Sequence, residues 1–257
     1  MAEDSRLFEI FPEVQRGLPR QGPGADDCTL KALSLCRELP ERSAVLDIGC
    51  GPGMQTVALA KSLDGPVTAV DLHPEYLAEL KAHAEAAGLA GRLRILAGDM
   101  MALPFPPESF DLVWSEGAAY IMGFDRALVA WKPLLRPGGY IAVSELVWLQ
   151  ADPPAEVAAF FAEEYPAMTD VDTALATVRS SGYEVAGHFT LPDSAWWTHY
   201  YLPLEAKLPN LAERYAGDDA ALAIIESTRR EIDVRRRFPD CYGYEFIVGR
   251  KQPRGGS

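Results

Sequence analysis

The sequence predicts an α/β fold built on a doubly wound sheet of seven strands. Two observations carry that expectation. From Ala44 onward, short apolar runs alternate with amphipathic stretches of helical length, the pattern of strands joined by crossover helices. The first run, Val45-Leu46-Asp47-Ile48, breaks into Gly49-Cys50-Gly51-Pro52-Gly53 before a helical pattern resumes at Met54. Glycine at alternate positions leaves peptide N–H groups open to a ligand at a helix N-terminus. Asp47, just before the turn, offers a carboxylate to a cationic amine.

The elements follow in order. Residues 1–43 precede the sheet. Their Gly17–Gly24 stretch, with two prolines and three glycines, reads as a loop, followed by a helix near 26–38 that Asp26 or Asp27 caps. Strands are expected near 44–48, 66–71, 92–97, 110–115, 139–146, 183–190 and 242–250, with helices over 54–63, 74–87, 124–134 and 170–181. The core is thus 44–191 together with 242–250. Residues 192–241 form an insertion too long for an ordinary connection. It holds the cluster Trp196-Trp197-Thr198-His199-Tyr200-Tyr201 and two helices near 203–216 and 218–237. The last stretch, 251–257, reads as a disordered tail.

Bulk properties exclude several function classes. Thirty-seven acidic against 24 basic residues give a net charge of −13, which repels phosphate backbones and anionic lipid. No nucleic-acid or membrane partner is expected, and no apolar run approaches the ~20 residues of a membrane span. Cys28, Cys36, Cys50 and Cys241 form no Cys-x-x-Cys pair and suit reduced thiols in the cytoplasm. No signal peptide is expected from the acidic start at Glu3 and Asp4. His73, His83, His188 and His199 are scattered, so no metal site is expected. Arg229, Arg230, Arg235, Arg236 and Arg237 alternate with acids, giving pairs such as Glu226–Arg230 on a solvated helix face.

The spacing of the glycine turn excludes two common nucleotide motifs. A dinucleotide fingerprint needs glycine at the sixth place, where Met54 stands; a P-loop ends in Gly-Lys-Ser/Thr, and no lysine comes before Lys61. Val45–Gly53 instead resembles motif I of the class I S-adenosylmethionine-dependent methyltransferases. Later segments are similar to the same family in order and spacing: Val67–Asp71, Gly98-Asp99-Met100 with Leu103-Pro104-Phe105, Phe110–Trp114, and Leu135–Val143. The closest subgroup by resemblance is the ubiquinone-biosynthesis-like, type 11 small-molecule branch.

The resemblance implies a Rossmann-like, mostly parallel sheet whose last strand is antiparallel. The cofactor it implies is S-adenosyl-L-methionine, with S-adenosyl-L-homocysteine as product. Gly49 and Gly51 would border it, with Asp47 nearby; Asp71 would hold the ribose hydroxyls and Leu72 would pack on the nucleoside. Asp99 would meet the adenine amine, with Met100 on the ring. Glu116 would face the methionine end or the acceptor, as cofactor ligand or catalytic group. Arg20, Gln21 and Gly22 would fold over the methionine carboxylate, so 1–43 covers the cofactor and 192–241 forms a lid.

Because the sulfonium is already a good leaving group, alignment and exclusion of water suffice for much of the catalysis. His199 is the candidate base, its ordinary pKa lying near neutrality. Tyr120, Glu145, Trp148, Trp196, Trp197 and Tyr200 are the candidate acceptor contacts, with Tyr201 beside them. Aromatic faces with carboxylates suit a cation, so an amine nitrogen is favoured over O, C or S. The expected assembly is a monomer or homodimer acting on a small molecule. Two alternatives stay open: a nicotinamide-dependent oxidoreductase on a similar sheet, and a non-catalytic module that binds the same cofactor.

Overall fold

The computed structural model describes residue 10 and residues 12–253. Its elements are α1 (Asp26–Leu35), β1 (Val45–Ile48), α2 (Met54–Ser62), β2 (Val67–Asp71), α3 (Pro74–Ala86), β3 (Leu93–Ala97), β4 (Phe110–Glu116) and α4 (Phe124–Trp131). There follow β5 (Leu135–Trp148), α5 (Ala155–Glu164), β6 (Thr169–Asp170), α6 (Val171–Ser180), β7 (Tyr183–Thr190), α7 (Leu202–Arg214), α8 (Asp219–Arg237) and β8 (Tyr242–Lys251).

The strands run in the order β3-β2-β1-β4-β5-β8-β7, with β8 antiparallel to both neighbours. An eighth, two-residue strand, β6, pairs with the end of β5, where seven strands were expected. Strand β1 is buried on both faces, as a central parallel strand should be. The order of strand addition reverses between the parallel strands β1 and β4, which flank the switch point of the sheet. Several helix starts are visible in the sequence: Pro74 opens α3, and the Asp170 and Asp218 side chains cap α6 and α8. Ala25, not an aspartate, is the cap of α1; Asp26 and Asp27 lie in its first turn, where they favour the helix dipole.

Helices α1 and α2 cover one face of the sheet around Leu59, Trp114 and Phe246. On the other face α4 and α6 pack around Leu128, Trp131, Ile141 and Leu175. A third core joins α5, α7 and α8 with Val14 and Leu18 from the N-terminal segment, around Phe161, Trp196, Tyr201, Leu208 and Ile225. Helix α5 was not expected from the sequence. Its apolar residues Val157, Phe160 and Phe161 find their partners on α7 and α8, far away along the chain. Lys251 closes β8 rather than opening a tail, and residues 254–257 lie outside the described residues, as do Glu3 and Asp4.

The arginine-rich helix face needs a correction. Arg235 is only 3% exposed: its guanidinium donates to the Tyr242 carbonyl and to Asp193, both at 2.8 Å, and stacks 4.1 Å over Trp196. Helix α8 thus turns this one arginine inward, because an apolar ring and two acceptors are there to receive it. Glu226 pairs with Arg229 at 3.2 Å, while Arg230 reaches Glu163 on α5 instead. Replacing Arg235→Leu is expected to cost about 2–4 kcal/mol, from the stacking and the charged hydrogen bonds it removes. Urea denaturation checks this; a loss below about 0.5 kcal/mol, the scatter of surface substitutions, contradicts the anchoring role.

Candidate functional site

A cavity of about 460 Å³ lies at the C-terminal ends of β1 to β4, on the switch point of the sheet. Its floor is the glycine turn. The N–H groups of Gly49 and Cys50 both donate to the Val70 carbonyl, at 2.8 and 3.1 Å, so the turn folds back onto β2. Gly49 has φ of +70°, and a Cβ there would sit 2.5 Å from the Ala118 methyl. At Gly51, φ is +52° and a Cβ would approach the Gln21 side chain to 3.3 Å. Both glycines line the cavity, and only glycine keeps this floor low.

Asp71, at the end of β2, ties the turn in place. One carboxylate oxygen accepts from the Gly51 N–H at 2.8 Å and the other from the His73 N–H at 2.9 Å. The residue is 9% exposed and lines the cavity, so the same carboxylate still faces a ligand. Asp99 accepts from the Met101 N–H at 2.8 Å in the turn after β3. Leu72, 65% exposed, and Met100 line the wall between them.

The roof is the N-terminal segment. Arg20 and Gln21 line the cavity, held by a pair that sequence reasoning did not anticipate. The Arg20 guanidinium donates to Glu116 at 2.7 Å and to Asp26 at 3.2 Å. Glu116 also accepts from Thr29 at 2.7 Å and from the Trp114 indole at 2.9 Å. A buried ion pair this well bonded gains specificity of placement more than stability. Glu116 lines the cavity, yet both its oxygens are engaged, which corrects the expectation of a free catalytic carboxylate. Two buried polar atoms of the roof, Arg20 Nε and Gln21 Oε1, lack partners in the protein.

Asp47 is corrected more sharply. It lies wholly buried behind the turn and does not line the cavity; one oxygen accepts from the Thr56 hydroxyl at 2.6 Å. Burial pushes its pKa up to about 7, the Thr56 bond opposing and the charges of Glu116 and Asp71 adding to the rise. His199 also stands away from the cavity. Its carbonyl accepts from the Arg20 N–H at 3.3 Å, and it touches the roof from behind.

The aromatic cluster is spread over several environments. Trp196 is in the third core under Arg235, and Trp197 donates to Asp193 at 3.0 Å. Trp148 meets Phe161 edge-on at 5.5 Å, and Tyr200 stacks on Tyr201 at 4.7 Å. None of these four lines the cavity, nor does Glu145, which accepts from the Tyr165 hydroxyl at 2.6 Å. Tyr120 does line it, half-exposed at the mouth with Ile121. Sequence reasoning missed Gln15, Gly117 and Tyr76, which line the cavity too. Tyr76 alone carried a signal, lying in the first turn of the helix that follows Asp71. Among the described residues no three His, Cys, Asp or Glu side chains converge to hold a metal.

Residues 45–139 match the model of a methyltransferase domain family. A sterol 24-C-methyltransferase of Gibberella zeae is 26% identical over 64% of this chain, and the match spans only 46% of that protein's length. The 27-O-demethylrifamycin SV methyltransferase of Amycolatopsis mediterranei is 29% identical, covering 83% of this chain and 79% of its own. Among solved structures, a methyltransferase of Geobacter sulfurreducens bound to S-adenosyl-L-homocysteine has the same fold. Its TM-score is 0.78 at 23% identity, with 97% of this chain and 98% of that one aligned.

The burial of Asp47 sets a pH dependence. The folded protein holds a proton that the unfolded chain, with an ordinary carboxyl near 3.8, releases. Stability from this group is therefore complete below the unfolded value and is lost as pH rises through about 7. The slope is at most about 1.4 kcal/mol per pH unit. The variant Asp47→Asn is expected to flatten the fall in urea midpoint between about pH 4 and 7, the window between the unfolded and folded values. Parallel curves for the two proteins contradict the assignment.

Proposed function

We propose that this chain, a member of the class I S-adenosylmethionine-dependent methyltransferases, methylates the nitrogen of a small amine. The cavity fits the cofactor of that family on three features: a floor that a Cβ would fill, the Asp71 carboxylate at its edge, and unpartnered Arg20 Nε and Gln21 Oε1 in its roof. The reading assigns the ribose hydroxyls to Asp71 and the adenine to Asp99, Met100 and Leu72. Arg20, Gln21 and Gly22 take the methionine end, and Glu116 acts by holding Arg20 in position. When bound, S-adenosylmethionine supplies a methyl on a sulfonium, which an acceptor lone pair takes while the carbon–sulfur electrons stay on sulfur.

The protein's own part is alignment and dryness. Fixing two reactants in a near-attack geometry supplies roughly 7–11 kcal/mol. The N-terminal roof and the helical insertion over 192–241 exclude water in this reading.

One observation carries the choice of an amine. Tyr120 lines the cavity, its ring 5.7 Å from Tyr165, whose hydroxyl donates to the buried Glu145. Burial pushes Glu145 up to about 7, and no basic side chain among the described residues pairs with it. A carboxylate left without a cation beside aromatic faces suits an amine, which attacks as the free base and becomes an ammonium cation as the methyl arrives. The acceptors named for the relatives, a sterol and a rifamycin, differ from each other, so the choice rests on this chain's own side chains. The reading includes the ubiquinone-biosynthesis-like branch and a monomer or homodimer in the cytoplasm, with Cys28, Cys36, Cys50 and Cys241 as free thiols. Among the described residues no helix is long and apolar enough to cross a membrane.

Asp71→Ala is expected to weaken S-adenosyl-L-homocysteine binding by about tenfold or more, since a charge-assisted hydrogen bond is worth roughly 1.5–3 kcal/mol. Calorimetry reads this, and an unchanged dissociation constant removes Asp71 from the ribose. Labelled methyl from the cofactor is expected to enter pooled small amines ahead of alcohols, phenols and thiols. Transfer confined to oxygen or sulfur acceptors overturns the amine.

A further inference from the structure

Helix α7 carries a lysine where its pattern calls for an apolar residue. Leu204, Leu208 and Leu211 recur at the spacing of one buried helix face and sit in the third core. Lys207 falls on the same stripe, three residues after Leu204 and four before Leu211. It is half-buried there. A cation on the packed face of a helix is costly unless acceptors meet it.

The acceptors are backbone carbonyls of the N-terminal segment. Residues 12–15 are helical and a turn follows at 16–17, which leaves the carbonyls of 13–16 at a helix end with no further turn to take them. The Lys207 ammonium donates to three of the four: Glu13 at 2.6 Å, Val14 at 3.0 Å and Arg16 at 2.5 Å. All its protons are thereby engaged, and its charge meets the negative end of the helix dipole. The remaining carbonyl, of Gln15, accepts from the Leu18 N–H at 3.3 Å and from the Gln21 side-chain amide at 3.1 Å. At the end of α7, Arg214 and Tyr215 grip the Glu13 carboxylate at 3.2 and 2.7 Å.

The helix end that Lys207 holds also carries the roof of the cavity. Pro12, Gln15 and Gln21 line the cavity, and Lys207 does not. With its amide nitrogen bonded to the Gln15 carbonyl, Gln21 keeps a buried Oε1 that has no partner in the protein. A Cβ at Gly51 would come within 3.3 Å of the Gln21 side chain, so roof and floor approach each other there. The place of Gln21 thus depends on the Gln15 carbonyl, and Lys207 holds the carbonyls on either side of it. We propose that Lys207 is a positioning residue for the cofactor, which caps the helix end at 13–16 and so fixes Gln21 over the methionine end. The proposal rests on the assignment of Gln21 to that end, and adds the side chain of the insertion that keeps it there.

The test compares S-adenosyl-L-homocysteine with 5′-methylthioadenosine, which keeps the adenosine and the thioether and lacks the amino-acid end. Both are titrated by calorimetry into the wild type, Lys207→Met, Gln21→Ala and the double variant. Lys207→Met keeps the apolar stem and removes the ammonium. It is expected to weaken S-adenosyl-L-homocysteine about tenfold, roughly the worth of one hydrogen bond, and to leave 5′-methylthioadenosine unchanged. A lysine that only stabilises the fold would weaken both ligands alike or neither, and either result overturns the proposal. The double variant is expected to bind no worse than Gln21→Ala alone, because the lysine acts through that side chain; additive losses overturn it too. If Lys207→Met fails to fold, Lys207→Gln, which retains an N–H donor, reads the same difference between the ligands. Gln21→Ala separates the two claims. Should it weaken only S-adenosyl-L-homocysteine while Lys207→Met does not, the methionine-end assignment stands and the positioning role falls. Should it leave both ligands unaffected, the assignment itself falls, and the route through Gln21 with it.

Discussion

The Asp71 carboxylate, gripped by the N–H groups of Gly51 and His73, is the contact on which the site is built. Without it the bend after β1 would have no fixed relation to the end of β2. Each bond is charge-assisted and short, so the pair defines both the position of the turn and the direction of the carboxylate. The clamp also explains why the turn needs its glycines. With φ positive at Gly49 and Gly51, the backbone can bring the Gly51 N–H to the carboxylate while leaving the floor of the cavity bare.

A second constraint closes the cavity from above. Arg20 and Glu116 are nearly out of solvent, and desolvating them is repaid only because Asp26, Thr29 and Trp114 complete their hydrogen bonds. The pair joins the N-terminal segment to the end of β4, on either side of the cavity. Arg20 and Gly24 also bond to carbonyls of His199 and Ala195 in the insertion. Roof, insertion and central sheet are thereby one connected frame, and a ligand that reaches Arg20 Nε or Gln21 Oε1 meets groups already held in place.

The parts of this design that depend on local backbone chemistry are legible in the sequence. The glycine turn, the acid at the end of β2 and the Asp99 turn sit where the spacing of short apolar runs puts them. Side chains whose direction is set by distant packing are not. Asp47 has the right position along β1 but points into the core toward Thr56. His199, Trp197 and Tyr200 share one aromatic run of the chain and none of them reaches the cavity, because the helical insertion packs on α5 rather than on the cavity. Helix α5 itself has an apolar face that makes sense only once α7 and α8 are seen against it.

A double-mutant cycle on the ribose tests the clamp most directly. S-Adenosyl-L-homocysteine and its analogue lacking both ribose hydroxyls are titrated by calorimetry into the wild type and into Asp71→Asn. If the carboxylate held by Gly51 and His73 is the ribose contact, deleting the hydroxyls costs about tenfold or more in the wild type and little in the variant, a coupling of roughly 1.4 kcal/mol. Equal penalties in both proteins would mean that Asp71 and the ribose do not touch.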